Sequence, residues 1–74
     1  MDAKTIGKII KQYRERKGLS QEVVSGLADI SRSHLSRIET GVHSPSVTIL
    51  YKLSDALGVK ASDILRAAEE NMQF

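Results

Sequence analysis

The polar residues with the most regular spacing lie between positions 20 and 41. Arg32, Ser33, Ser36, Arg37 and Thr40 recur at the steps that put side chains on one side of a helix. Leu35 and Ile38 fall on the other side, where a core would hold them. A guanidinium can donate two parallel hydrogen bonds to O6 and N7 of a guanine, and a serine hydroxyl can donate to or accept from any base edge. A helix with this face fits the width of a DNA major groove. Such chemistry is reversible recognition, with no covalent bond made or broken.

Other chemistries find no support in the residues. The Ser, His and Asp side chains form no triad pattern, and nucleophilic catalysis needs a positioned base and oxyanion donors. This argues against an enzyme. The two histidines, His34 and His43, are spaced for no local chelate. Cysteine is absent, which removes thiolate metal sites and disulfides. No metal and no cofactor are expected.

Five short helices are predicted to carry the polar face. Ile6, Ile9, Ile10 and Tyr13 set a helical period, so the first helix is expected over about 5–17, capped by Thr5 and stopped by Gly18. Ser20 caps a second helix ending near Ala28, with Val23, Val24 and Leu27 as its apolar contacts. Gly26 inside it suggests a close neighbouring backbone. Asp29-Ile30-Ser31 makes a tight turn, and Ser31 caps a third helix over about 32–40, stopped by Gly41. Ser46 caps a fourth, about 47–57, with Val47, Leu50, Leu53 and Leu57 inward and Gly58 as its stop. A fifth begins near 62, capped by Ser62, with Ile64 and Leu65 apolar. No stretch alternates as a strand would. The expected fold is all-α, a compact five-helix bundle forming a single domain over residues 1–74, with its core at 5–66 and a helical or frayed tail at 67–74.

Charge and composition narrow the partners. The net charge is only +2, but six of the 11 basic residues lie in positions 1–17: Lys4, Lys8, Lys11, Arg14, Arg16 and Lys17. That cluster suits a polyanion and equally suits a solvated helix face. With 41% hydrophobic but only 4% aromatic residues, the core must be aliphatic. No membrane-length apolar run and no signal-like start appear, so a cytoplasmic chain without membrane contact is expected.

The sequence resembles the phage-repressor and Cro-like helix-turn-helix family, also called the Xre family. The resemblance runs through Ile6-Gly7, Arg14, Gly18-Leu19-Ser20-Gln21, Ile30-Ser31-Arg32-Ser33, Leu35-Ser36-Arg37-Ile38-Glu39, Gly41, Pro45, Leu57-Gly58-Val59 and Ile64-Leu65. It implies a lambda-repressor-like domain that reads double-stranded DNA as a transcriptional regulator, with base contacts from Arg32, Ser33, Ser36 and Arg37. Phosphate contacts would come from Gln21, Thr40 and His43, with His34 beside the reading face. Arg14 and Glu39 correspond to a structural ion pair. Asp29 stands where the family usually has glycine, at a position that often takes a positive φ. The resemblance also implies a homodimer on a palindromic operator, joined through helices 4 and 5 and the apolar Met72 and Phe74. The alternative is a protein-interaction module on the same fold, such as an antitoxin or a bridging factor.

Overall fold

A computed structural model describes residues 2–71 and contains, in order, α1 (Ala3–Arg16), α2 (Gln21–Leu27), α3 (Arg32–Glu39), α4 (Val47–Leu57) and α5 (Ala61–Asn71). The described residues contain no strand. The tail residues Met72 and Phe74 lie outside them.

Three serines start helices by the same device. Ser20, Ser31 and Ser46 sit in extended backbone, and each hydroxyl accepts the N–H three residues on, from Val23 at 3.1 Å, His34 at 3.0 Å and Ile49 at 3.1 Å. The other two helices start differently from expectation. α1 begins at Ala3 because Asp2, not Thr5, is its cap: Asp2 Oδ1 accepts the Thr5 N–H at 2.8 Å. Hydrogen bonds from Thr5 hold the Asp2 carboxyl below its ordinary 3.8. Asp2 therefore supports α1 above that pH, and the support is lost as pH falls through the lowered value.

α5 begins at Ala61, which places Ser62 inside the helix. Here Asp63 reaches back to accept the Lys60 N–H at 3.0 Å, while the Asp63 N–H donates to the Lys60 carbonyl at 2.9 Å. A residue in the first turn does the work of a cap, so the usual leading Ser, Thr, Asp or Asn is not needed.

The buried side chains are Ile9 and Ile10 of α1, Val24 of α2, Leu35 and Ile38 of α3, Leu50, Leu53 and Leu57 of α4, and Ile64 and Ala68 of α5, with Ala28 closing α2. α1 packs on α3 and α5, and α2 packs on α3 and α4. Two expected core residues lie outside. Leu27 is 65% exposed and Val47 is 70% exposed. Leu27 shares the outer strip of α2 with Val23, one turn away, while Val24 and Ala28 take the inner strip. Val47 sits in the first turn of α4 between the exposed Ser46 and Thr48, beyond the buried layer that starts at Leu50.

The closest helix contact occurs at Gly7. A Cβ there would overlap the carbonyl oxygen of Ile38, so α1 and α3 touch backbone to backbone. Gly26 has no such neighbour: nothing stands within 4 Å of the place a Cβ would take, which corrects the expected close approach. In the α2–α3 turn, Asp29 adopts φ +56°, the left-handed region that its short polar side chain tolerates.

Candidate nucleic-acid interface

α3 is eight residues long and divides cleanly. Leu35 and Ile38 are fully buried against α1 and α2, which fixes the helix and turns its other side outward. On that side Arg32, Ser33, Ser36 and Arg37, joined by Gln21 from α2, line an open groove of about 510 Å³. Arg32, Ser33 and Arg37 are exposed, whereas Ser36 and Gln21 are half-buried at its floor. The lining has two guanidinium groups and no carboxylate. It offers charge-assisted donors on its rim and neutral hydrogen-bonding groups beneath, the set that suits an anionic ligand with donor and acceptor edges.

A buried ion pair holds this groove from below. Arg14 Nε donates to Glu39 Oε2 at 2.7 Å and Arg14 Nη2 to Glu39 Oε1 at 2.9 Å, a two-pronged contact between α1 and the end of α3. The third guanidinium nitrogen, Nη1, donates to the Leu19 carbonyl at 2.9 Å, which ties in the start of the segment before α2. These hydrogen bonds to Glu39 raise the Arg14 pKa above its already high ordinary value, although burial opposes the rise. The Glu39 side chain is only 2% exposed, so its charge is desolvated as well as paired.

Gln21 joins the same cluster. Its Nε2 donates to Glu39 Oε1 at 3.0 Å. A carboxylate can only accept, so this bond sets the orientation of the amide: the NH₂ end faces Glu39. One chain of hydrogen bonds therefore runs from the core of α1 to the floor of the groove. The periodicity of the sequence gave no signal for this link. The pointer available was a carboxylate expected to be buried, whose oxygens need more donors than one arginine supplies.

Thr40, expected on the same face, is not part of the groove lining. It forms the C-cap of α3, and its hydroxyl is shared between the carbonyls of Ser36 at 3.0 Å and Arg37 at 3.3 Å. The loop that follows folds back on the helix. Val42 and His43 both donate their N–H groups to the Arg37 carbonyl, at 2.9 and 3.1 Å. This brings the His43 ring beside His34, edge to face, with centroids 6.2 Å apart and planes at 76°. The sequence spacing suggested no such meeting. Among the described residues, no group of three or more His, Cys, Asp and Glu is placed to hold a metal. No helix among them is long and apolar enough to cross a membrane.

Two short helices, a tight turn and an open polar face on the second helix define a helix-turn-helix unit. The chain belongs to the helix-turn-helix family of the Xre/Cro-C1 type: the family model, described as Helix-turn-helix, matches residues 10–64. The chain is 44% identical over 70 residues to the HTH-type transcriptional regulator SlrR of Bacillus subtilis, covering 93% of this chain but 45% of SlrR. It is 36% identical to the HTH-type transcriptional regulator y4dJ of Sinorhizobium fredii, covering 90% of this chain and 87% of that protein. Among solved structures, it is 39% identical to the biofilm regulator SinR in complex with DNA, with a TM-score of 0.76 over 81% of this chain and 97% of that one. The clp gene regulator ClgR of Corynebacterium glutamicum is 26% identical, with a TM-score of 0.90 over 95% and 91% of the two chains.

Proposed function

We propose that this chain is a sequence-specific, duplex-DNA-binding transcriptional regulator that lays α3 in the major groove. The observation that carries the reading is the open groove lined by Arg32, Ser33, Ser36, Arg37 and Gln21, with cations at its rim and no carboxylate in its lining. In this reading the chain acts as one helix-turn-helix unit. Arg32, Ser33, Ser36 and Arg37 meet base edges, and Gln21, His34, Thr40 and His43 meet the phosphate backbone. Gln21 has a second amide hydrogen to give to a phosphate while the first remains on Glu39. Its relatives are named as transcriptional regulators, and SinR was crystallised on DNA. The role is binding rather than catalysis.

The operator is a palindrome read by a homodimer, with half-sites about 34 Å apart. α4 and α5 supply the dimer contact, around a surface groove of about 310 Å³ that includes the exposed Tyr51 together with Val59 and Ala61. A protein-interaction module on the same fold is the second reading, favoured by the exposed apolar side chains Val23 and Leu27 on the outer strip of α2.

Selection from a random-sequence duplex pool, followed by titration at several salt concentrations, tests the proposal. Duplex reading predicts an inverted-repeat consensus and an affinity that falls steeply with salt. A pool that yields no consensus, with weak binding equal on all sequences, would sink it and favour the interaction module.

A further inference from the structure

We propose that His34 and His43 act as one proton-linked phosphate clamp. The paired imidazoles take up protons as a DNA backbone phosphate docks, so duplex affinity climbs as pH falls through the imidazole range. The proposal rests on the duplex-binding reading above and adds a regulatory input to it.

The chain has two histidines, and the fold places them side by side at 6.2 Å. Both are tied to the reading helix at Arg37. His34 precedes Arg37 by three residues, on an adjoining strip of α3. His43 reaches the same residue from the loop, its N–H on the Arg37 carbonyl at 3.1 Å. A DNA strand lying along the groove would pass the pair as it passes Arg37. No other imidazole exists in the chain to share the titration.

The charges around the pair set the sign of the effect. α3 contributes Arg32 and Arg37, and α1 contributes Lys4, Lys8 and Lys11, all exposed, with the stem of Lys4 close against Gly41. The acidic groups on the surrounding elements are Asp2 at the cap of α1, Glu22 on α2 and Asp29 in the turn. Glu39 is already committed to Arg14 and Gln21. The loop from Thr40 to Ser46 adds no carboxylate. Among the described residues, neither imidazole is in an ion pair with a carboxylate. Two neighbouring imidazolium ions repel each other, and the nearby cations add to that cost. A phosphate reverses the balance by supplying the missing negative charge. Protonation also converts each ring from one N–H donor to two. The complex therefore holds more protons than its separate partners, and by linkage its affinity must rise as pH falls. The limit is about tenfold per pH unit for each proton taken up.

The test is fluorescence anisotropy with a duplex recovered by the selection above, at about pH 6 and about pH 8, with chelator throughout. The proteins are the wild type, His34→Gln, His43→Gln and the double variant, each shown by circular dichroism to melt like the wild type at the higher pH. The wild type should bind about tenfold or more tightly at the lower pH, and its salt dependence should steepen there. The double variant should lose that pH response while still binding at the higher pH. Each single variant should lose a large part of it. The same pH profile in wild type and double variant would overturn the proposal while leaving duplex binding intact. Failure of the wild type to hold any selected duplex at either pH would instead remove the duplex reading, and the clamp with it.

Discussion

At the scale of single residues, Glu39 connects stability to recognition. Its two oxygens accept from Arg14 Nε and Nη2 and from Gln21 Nε2. Replacing Glu39 with Ala leaves a largely buried guanidinium without its partner and frees the Gln21 amide. Such a loss costs about 3–5 kcal/mol, so a thermal melt of Glu39→Ala should show a large fall in Tm. An unchanged Tm would mean that the pair carries no stability. Arg37→Ala should behave in the opposite way. Arg37 is exposed and its side chain supports nothing in the core. The variant should melt like the wild type yet lose about 1–3 kcal/mol on its preferred duplex, with relaxed preference at one base pair. Equal loss on every duplex would mean that Arg37 touches only the backbone. The sequence gave the faces on which Arg14, Gln21 and Glu39 lie. Periodicity does not say which side-chain ends meet between elements, so the Gln21–Glu39 bond was not legible.

At the scale of elements, local chemistry was readable wherever it was local. Ser20, Ser31 and Ser46 start helices because the hydroxyl and the N–H it accepts are three residues apart. α5 escaped because its capping group, Asp63, lies inside the helix and reaches backward. α1 escaped because two capping residues, Asp2 and Thr5, stood three apart and the earlier one won. The glycines show the same division. Gly7 and Gly26 look alike in sequence, each within a helical run, but only Gly7 faces another backbone. Gly7→Ala should force α1 and α3 apart and destabilise the fold by about 1–3 kcal/mol or more. Gly26→Ala should stabilise it by up to about 1 kcal/mol, because alanine favours the helix and meets nothing. Denaturant melts of the two variants should move in opposite directions.

At the scale of the whole molecule, amphipathic spacing identified the inner faces but not how far the core extends. The buried layer includes Leu50, Leu53 and Leu57 and stops short of Val47, and α2 keeps Leu27 on its outer strip. The surface around Tyr51, Val59 and Ala61 is where the proposed dimer is tested. Sedimentation equilibrium should give dimers that Tyr51→Glu converts to monomers. The variant should keep its affinity for a single half-site and lose the added affinity for a paired site. A wild type that stays monomeric at high concentration, with and without a paired duplex, would refute the dimer.

The separation of anchors from groove has a further consequence. Leu35, Ile38 and Glu39 secure α3 from one side, and Arg32, Ser33, Ser36 and Arg37 share none of that burden. The four can be exchanged as a set without disturbing the packing beneath them. The same scaffold can thus be re-addressed to new genomic targets by surface changes alone, at nearly constant folding free energy. New target preferences can accumulate in a chain built this way without first weakening it.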